Sequence, residues 1–372
     1  MRLCTRCVLP ENYPGIQFDK AGVCNYCRSH VKWTYKGEEK LDRFLASFRN
    51  KGQQYDCVVG VSGGRDSSYA LHYLVKECGL RVVAYTSDSG LIPEVAKANM
   101  RRMTDILGVE LVVDEHDLLR RCAKQNASAW LRKPSPAMIP MICCGCKLAG
   151  SRGVLKYAKQ ARIPLVVMNV ETPIEIGQLK QQLLATNPLG RTVKHKTVAM
   201  LLGLGYEIMR NPFYLAPYNS FIFGTEYLYF FHFTKMQKLF YPEQTTLLDL
   251  FRYIEWDEDK ILTTIRSELG WQKDANSPST WRFDCYLSFL KNHLLMKSIG
   301  ITEKHDCLSA MVREGMITRE QAMDRLEIEN VIPPKAIPEA LEQMGLDDAE
   351  RARFLHRVGE LDALNLSGGK VS

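Results

Sequence analysis

The chain has 372 residues, of which 46% are hydrophobic and 24% are charged. These proportions are typical of an ordinary soluble globular protein and exclude disordered, collagen-like and coiled-coil classes. The length is sufficient for two or three domains. The formal net charge of +7 suits anionic ligands such as nucleotides. The short basic run at 191–196 lacks the aromatic residues of a nucleic-acid-binding motif, so a nucleic-acid partner is not favoured.

The sequence shows no signal for export or for membrane insertion. The first residues, MRLCTRC, lack the apolar region of a signal peptide, and no window approaches the ~18 consecutive apolar residues of a spanning helix. We therefore expect a cytoplasmic protein that does not contact a membrane and keeps its 12 cysteines reduced. In that compartment, clustered cysteines indicate metal binding or catalysis before disulfides.

Four of these cysteines form two pairs near the N-terminus, and this pattern predicts a metal site. Cys4 and Cys7 make one CxxC pair, and Cys24 and Cys27 make the second, 16 residues further on. The spacing is typical of a structural zinc ion held by four thiolates, although iron or four metal-free thiols would also satisfy it. A head of 30 residues with few large apolar side chains cannot bury a core of its own, which favours the metal.

From residue 55 the sequence alternates between strand and helix patterns. Strands are predicted over 56–62, 81–87, 110–115 and 164–170, with helices over 66–78, 93–108, 117–132 and 150–161. This alternation predicts an α/β fold with an open parallel sheet and helices on both faces. Beyond about 175 the pattern becomes mainly helical. We therefore predict a cysteine head at 1–30, an α/β domain at 31–175, and a helical substrate or partner region at 176–372, in which the aromatic and basic stretch 190–235 would bind an anionic sugar nucleotide.

The most informative segment is the loop that follows the first strand, SGGRDSS at 62–68. Two adjacent glycines allow a tight turn that directs several backbone N–H groups to one point, and the helix that follows adds its positive end. A phosphate or pyrophosphate is the expected ligand, while the alternative is a Gly-Gly turn with no ligand. The spacing differs from that of both the Walker loop and the GxGxxG dinucleotide motif.

This loop closely resembles the SGGxDS loop of the PP-loop ATP pyrophosphatases. The resemblance implies that a substrate oxygen attacks the α-phosphate of ATP, that pyrophosphate leaves, and that a nucleophile then displaces AMP. It also implies roles for individual residues, which are as follows: phosphate binding by Ser62, Gly63, Gly64, Ser67 and Ser68; Mg²⁺ binding or helix capping by Asp66; neutralisation of the α-phosphate by Arg65 and Lys147; and ribose or adenine binding, or only a turn cap, by Asp88. Asn169 and Glu171 lie at the carboxyl end of the fourth predicted strand, where they could contact substrate or Mg²⁺. The alternative for Glu171 is a solvated loop carboxylate.

A second cysteine group is predicted at the same edge of the sheet. Cys143 and Cys146 lie in ICCGCK, and Cys285 lies far along the chain beside an acidic residue. Together they resemble the [4Fe–4S] site of the PP-loop tRNA thiolases, whose cluster is ligated by cysteine thiolates. A second zinc ion, or plain buried thiols, are the alternatives.

Three stretches resemble one subfamily, the N-acetyl sugar amidotransferases of bacterial surface polysaccharide and pseudaminic acid pathways. They are the head CTRCVLPENYPGIQFDKAGVCNYC, the loop with the helix EVAKANMRRM, and a distal block containing YIEWDEDKI, LGW, WRFDC and LSAMVREGMITREQAM. The resemblance implies that ATP adenylates the acetamido oxygen of an N-acetyl sugar or nucleotide sugar, and that ammonia then gives an acetamidino group. It also implies glutaminase and cyclase-like partners that supply the ammonia.

The ICCGCK motif departs from this subfamily and keeps a second function open. That function is an ATP-dependent, Fe–S-assisted sulfurtransferase that acts on a tRNA or a small amide. A third possibility, an inactive nucleotide-binding scaffold, is disfavoured because the loop retains its serines, glycines and aspartate.

Overall fold

The computed structural model of the chain describes residues 1–51, 54–143, 145–168, 172–175, 178–186, 189, 195–216 and 245–366. Of residues 145–152 and 362–366, only the backbone is described.

A parallel sheet of five strands forms the centre of the fold. The strands are β1 (Cys57–Gly60), β2 (Val82–Asp88), β3 (Glu110–Glu115), β4 (Leu165–Val167) and β5 (Thr246–Leu248). Their order is β3-β2-β1-β4-β5, and every neighbouring pair is parallel. The chain therefore moves outward from β1 to β3 and then crosses to the other side of β1. Ligands of open α/β sheets bind at the carboxyl ends of the strands where the order reverses in this way, which here is beside the loop after β1.

Helices cover both faces of this sheet, as predicted. Val58, Val83 and Val166 point to one face and share a core with Val154 and Leu155. The alternate residues of the same strands point to the opposite face, where they pack in a larger core against residues such as Leu71, Met100 and Ile265. A parallel sheet buried on both faces needs continuous hydrophobic strands, which is why runs such as CVVG form its centre.

The helices follow the predicted alternation and then fill the C-terminal region. In chain order they are α1 (Asn25–Arg28), α2 (Glu38–Ala46), α3 (Arg65–His72, continued by a π-helical turn at Tyr73–Glu77), α4 (Glu94–Leu107), α5 (Leu118–Arg132), α6 (Gly145–Gln160), α7 (Gln178–Ala185), α8 (Lys196–Arg210), α9 (Glu258–Leu269), α10 (Tyr286–Ile299), α11 (Glu303–Glu314), α12 (Arg319–Glu329), α13 (Ala336–Gln343) and α14 (Asp348–Leu366). Short 3₁₀ turns lie at Pro136–Cys143, Pro212–Leu215 and Leu250–Arg252. None of the helices in the described ranges is long and apolar enough to cross a bilayer.

The fifth strand is an element that the sequence did not predict. Thr246–Leu248 is too short to show an alternating pattern, and it lies in the region that we predicted to be mainly helical. It pairs with β4 through three registered residues, so the sheet takes its last strand from beyond residue 175. The division of the chain at that residue stays a prediction.

The cysteine head packs against the C-terminal helices. The hydroxyl of Tyr13 donates a 3.0 Å hydrogen bond to Asp306 in α11. The Arg319 side chain, at the start of α12, donates from Nε to the carbonyl oxygens of Cys4 and Cys7 at 3.1 and 3.2 Å. Residues that are 293 to 315 positions apart in the sequence therefore fix the head in place.

Candidate active site

The loop between β1 and α3 turns at a glycine that no other residue can replace without strain. Gly63 has φ of +75°, and a Cβ built on it would lie 2.1 Å from the carbonyl oxygen of Ala96 in α4. Gly64, at the N-cap of α3, is in extended conformation, and a Cβ there would lie 2.7 Å from Oδ2 of Asp284. The two adjacent glycines therefore allow both a left-handed turn and the close approach of neighbouring groups.

Hydroxyl groups close the loop on itself. Ser67 Oγ accepts a 3.2 Å hydrogen bond from the backbone N–H of Ser62, and Ser62 Oγ accepts one of 3.3 Å from the N–H of Gly64. Ser68 is buried, and its Oγ donates at 2.8 Å to the carbonyl of Gly64. The structure thus brings the predicted phosphate-binding residues together at the start of α3. Their contact with a phosphate stays a prediction.

Two residues outside the loop hold the carbonyl of Gly63. Trp271 Nε1 donates to it at 3.0 Å, and Asn99 Nδ2 donates at 3.2 Å. Asn99 is itself fixed by a pair of hydrogen bonds with the backbone of Gln272, at 2.7 and 3.0 Å. With its carbonyl oriented by two donors, the loop has a fixed conformation before any ligand binds.

Arg65 and Asp66, in the first turn of α3, belong to a buried network of charged side chains. The Arg65 guanidinium is 3% exposed, pairs with Glu258 and Asp66, and donates to Thr280 at 3.3 Å. Asp66 also accepts a 3.0 Å hydrogen bond from Trp256 Nε1. Burial by itself would lower the pKa of Arg65, but the carboxylates of Asp66 and Glu258 outweigh it and raise that pKa, so the arginine stays charged. Burial raises the pKa of Asp66, and Arg65 opposes the rise.

These contacts engage both residues within the protein, and Nη2 of Arg65 is left without a hydrogen-bond partner among the described residues. The catalytic roles predicted for Arg65 and Asp66 stay predictions, while the contacts themselves position the first turn of α3.

Asp284 lies beside Gly64 of the loop, and the sequence did not predict it as a site residue. One of its oxygens approaches Gly64 as described above, and its carboxylate interacts with the side chain of Ser62. Burial raises the pKa of Asp284, with Ser62 and Arg282 acting in the opposite direction. Arg282 pairs with Glu175 at 2.6 Å, and Trp281 Nε1 donates to that same carboxylate at 2.6 Å. Although burial favours the protonated form of Glu175, Arg282 and Trp281 outweigh it and lower its pKa.

The end of the second strand presents Asp88 at the same edge of the sheet. Its carboxylate accepts a 2.8 Å hydrogen bond from the N–H of Gly90 and pairs with Lys97 at 2.7 Å. This pairing raises the pKa of Lys97. Both interpretations of Asp88, as a nucleotide ligand and as a turn cap, are compatible with this position.

The predicted second cysteine group is described only in part. Cys143 ends the 3₁₀ turn, and its Sγ lies 3.7 Å from Nζ of the buried Lys291, which also pairs with Glu303 at 2.8 Å. Cys285 is the N-cap of α10. The side chains of Cys146 and Lys147 lie outside the described residues, as do Asn169 and Glu171. A metal or cluster at Cys143, Cys146 and Cys285 therefore stays a prediction.

The four N-terminal cysteines come together, as predicted, in a group that could hold a metal ion. Their four Sγ atoms all lie within 4.8 Å of one another and are buried. Cys4 and Cys27 are 3.9 Å apart at sulfur, and Cys7 and Cys24 are 3.8 Å apart. Tetrahedral Zn–S bonds of about 2.3 Å would place the sulfurs about 3.8 Å from one another, so the donor set fits such an ion. Backbone N–H groups, including that of Cys24 at 3.2 Å, point at Cys4 Sγ.

The residues that sequence reasoning missed lie in stretches that it had already marked. Trp256 and Glu258 come from YIEWDEDKI, Trp271 comes from LGW, and Asp284 comes from WRFDC. These stretches were marked by resemblance, and none of these four residues was given a role. The structure supplies the physical reason for them, because each one contacts the loop or the first turn of α3.

Comparison with known proteins identifies the C-terminal region. Residues 282–359 match the family model of the LPS biosynthesis protein WbpG-like, C-terminal domain. The chain is also similar to PP-loop proteins. A tRNA-5-methyluridine(54) 2-sulfurtransferase of Thermotoga maritima is 23% identical over 47% of this chain and 56% of its own length. A glutamine-hydrolysing GMP synthase of Pyrobaculum aerophilum is 29% identical over 23% of this chain and 17% of its own length.

These matches support a WbpG-like PP-loop family for the chain. An uncharacterized protein of Methanocaldococcus jannaschii shares 20% identity with this chain over 89% of the chain and 94% of the other protein. The structure of the U34-tRNA thiolase NcsA of Methanococcus maripaludis, which contains a [4Fe–4S] cluster, covers 97% of this chain with a TM-score of 0.35 and 12% identity. That score is too low to support any inference. The fold, the loop and the family matches support an ATP-using, metal-binding enzyme of an amidotransferase or sulfurtransferase family.

Proposed function

We propose that the protein is an ATP-dependent amidotransferase acting on an N-acetyl sugar or nucleotide sugar. It adenylates the acetamido group, releases pyrophosphate, and then converts the group to acetamidino with ammonia while releasing AMP. The reaction takes place in the cytoplasm, in keeping with the reduced cysteines that the metal site needs.

One observation carries this proposal: the WbpG-like region reaches directly into the nucleotide loop. Asp284 is the third residue of the matched range, and its carboxylate is the group closest to a Cβ built on Gly64. Trp271, shortly before that range, donates to Gly63. The part of the chain that distinguishes this family therefore meets the part that it shares with other PP-loop enzymes. A substrate held by the former would be presented to ATP on the latter.

The loop provides what the first step needs. As the acetamido oxygen attacks the α-phosphate, negative charge grows on the departing pyrophosphate. The N–H groups at the start of α3 and the positive end of that helix point to the place where this charge forms. Because Trp271 and Asn99 hold the loop in advance, little reorganisation is needed when the bond breaks. Magnesium bound to ATP would neutralise further charge on the phosphates.

Ammonia would reach the adenylated intermediate from partner proteins. We propose a glutaminase and a cyclase-like subunit, because the sequence offers no nucleophilic cysteine in the strand-turn-helix setting of a glutaminase. Free ammonium salts at high concentration should replace these partners, which allows the chain to be assayed alone.

Zinc at the N-terminal cysteines would act in folding rather than in chemistry. Four thiolates fill a tetrahedral site and leave no open position for a substrate. The site also lies where Arg319 joins the head to α12, so loss of the ion would loosen the contact between the head and the C-terminal helices.

The second candidate, a sulfurtransferase, is favoured by Cys143. This thiol lies beside the buried ammonium of Lys291, in a charged surrounding that Arg282 shares. A sulfurtransferase is also among the relatives. Either function begins with the same adenylation, so the two differ only in the nucleophile.

Product mass distinguishes these functions. The purified protein would be incubated with ATP, Mg²⁺ and a panel of UDP-N-acetyl sugars, with ammonium in one series and sulfide in another. Replacement of one oxygen by NH supports the amidotransferase, and replacement by sulfur supports the second candidate. The double variant Gly64→Val/Ser67→Ala, which disrupts the loop, is the inactive control. If the wild type forms no AMP with any sugar, the proposed substrate class is wrong.

A further inference from the structure

A carboxylate lies beside the loop that is predicted to bind phosphate. Oδ2 of Asp284 would be 2.7 Å from a Cβ on Gly64, and the same carboxylate interacts with Ser62. The loop itself directs N–H groups and the start of α3 to this region, an arrangement that attracts phosphate. If ATP bound there with Asp284 charged and unscreened, the two negative groups would repel each other.

Within the part of the chain that the structure describes, the two arginines near Asp284 form their ion pairs with other carboxylates. Arg282, two residues earlier, is paired with Glu175 at 2.6 Å. Arg65 is committed beneath the loop to Glu258 and Asp66. Arg282 also acts on Asp284 electrostatically, but within the described residues neither arginine forms an ion pair with it. A cation that arrives with the ligand would screen Asp284 from the phosphates.

Mg²⁺ matches this requirement. It prefers oxygen ligands and in nucleotide sites is commonly held by one or two carboxylates together with the phosphates of the substrate. The sequence offered Asp66 for this role, but Asp66 accepts hydrogen bonds from Trp256 and Arg65 on the inner side of α3. Asp284 is a hard oxygen donor on the outer side, within reach of whatever fills the loop.

We propose that Asp284 is a direct ligand of the Mg²⁺ that accompanies ATP. Through this ligand the WbpG-like region would interact directly with ATP and Mg²⁺ bound at the loop. Arg282, which has φ of +53° and is anchored to Glu175, is a positioning residue that aims Asp284 at the loop. The inference rests on the proposed use of ATP, but it assigns the metal contact to the family-specific region rather than to the shared loop motif.

The test measures ATP binding by calorimetry with and without Mg²⁺, with EDTA in the metal-free series. In the wild type, Mg²⁺ should tighten ATP binding by about tenfold or more, a coupling within the usual range. In Asp284→Asn, metal-free ATP should bind at least as tightly as in the wild type, because a repelling charge has gone. The enhancement by Mg²⁺ should fall to about threefold or less. Asp284→Glu, which keeps the carboxylate, should retain most of the enhancement.

Asp324→Asn is the matched control, since Asp324 is an exposed aspartate of the same matched range. It should bind ATP as the wild type does in both series. An equal Mg²⁺ enhancement in Asp284→Asn and in the wild type overturns the proposal. So does a parallel loss of binding in both series, which would indicate a purely structural role. If the wild type binds no ATP at all, the proposed function itself fails, and that result is distinct from a change confined to the variant.

Discussion

Replacement of Gly63 by alanine tests whether the loop has the tight geometry described here. Gly63 is left-handed, with φ of +75°, and an added Cβ would lie 2.1 Å from the carbonyl oxygen and 2.7 Å from the carbonyl carbon of Ala96. Both neighbours are backbone atoms in the first turn of α4, so they cannot rotate away as a side chain would.

Two costs add at this position. A left-handed alanine loses about 1–2 kcal/mol relative to glycine. Overpacking against an unyielding neighbour costs about 1–3 kcal/mol more. Gly63→Ala should therefore destabilise the fold by about 2–5 kcal/mol. The matched control is Gly108→Ala at the end of α4, where φ is +64° and no atom lies within 4 Å of the added Cβ. Gly108→Ala should be destabilised only by the left-handed backbone of the alanine.

Urea unfolding followed by fluorescence measures both variants, and the difference between their free energies of unfolding isolates the contact with Ala96. ATP binding should be lost in Gly63→Ala and kept in Gly108→Ala. If Gly63→Ala is no less stable than Gly108→Ala, the close packing of the loop on α4 is wrong.

Three further predictions concern the head, the loop and the C-terminal helices. Cys24→Ser should release the metal, measured by elemental analysis, and lower the stability of the fold, whereas a variant with full metal content would contradict the four-thiolate site. Trp271→Phe removes one donor from the carbonyl of Gly63 and should cost about 1 kcal/mol of stability with weaker ATP binding; unchanged binding in calorimetry would argue against preorganisation. Burial acts to raise the pKa of Glu329, but Lys304 and Arg325 outweigh it and lower the pKa from 4.5 to about 2. A carboxylate whose pKa is lowered by folding stabilises the protein fully above about pH 5, and this stabilisation is lost as the pH falls toward 2. From pH 5 to 3 the free energy of unfolding of the wild type should therefore fall by up to about 2 kcal/mol more than that of Glu329→Gln. Parallel pH profiles in urea unfolding would show that the pairing contributes nothing.

The sequence predicted the parts of the fold whose signal is local. The strands around Val58 and Val83 are continuous apolar runs, and the helix 93–108 carries its own terminators, Pro93 and Gly108. Each of these patterns fixes an element without reference to the rest of the chain. The pairs of cysteines gave the head in the same way, because a tetrahedral site needs only four thiolates at a suitable spacing.

The features that were not predicted depend on contacts between segments that are distant in the sequence. β5 is three residues long and exists because β4 offers it an edge. Asp284 is more than 200 positions from Gly64, and nothing in WRFDC indicates that its carboxylate lies at the loop. Arg65 also depends on a distant segment. Its position in the motif suggested that it binds phosphate, but it is buried against Glu258, which lies in a helix that begins almost 200 residues later. The resemblance marked these stretches, and only the folded structure shows what they contact.

In the proposed reaction, ATP activates the acetamido oxygen of an N-acetyl sugar. This step can be followed with an N-acetyl sugar that carries oxygen-18 in the acetamido group. The protein would be incubated with this sugar, ATP, Mg²⁺ and ammonium, and the nucleotide products analysed by mass spectrometry. The label should appear in the phosphate of AMP, with unlabelled pyrophosphate as the other product. Formation of ADP, or of AMP that carries no label, would contradict the proposed reaction.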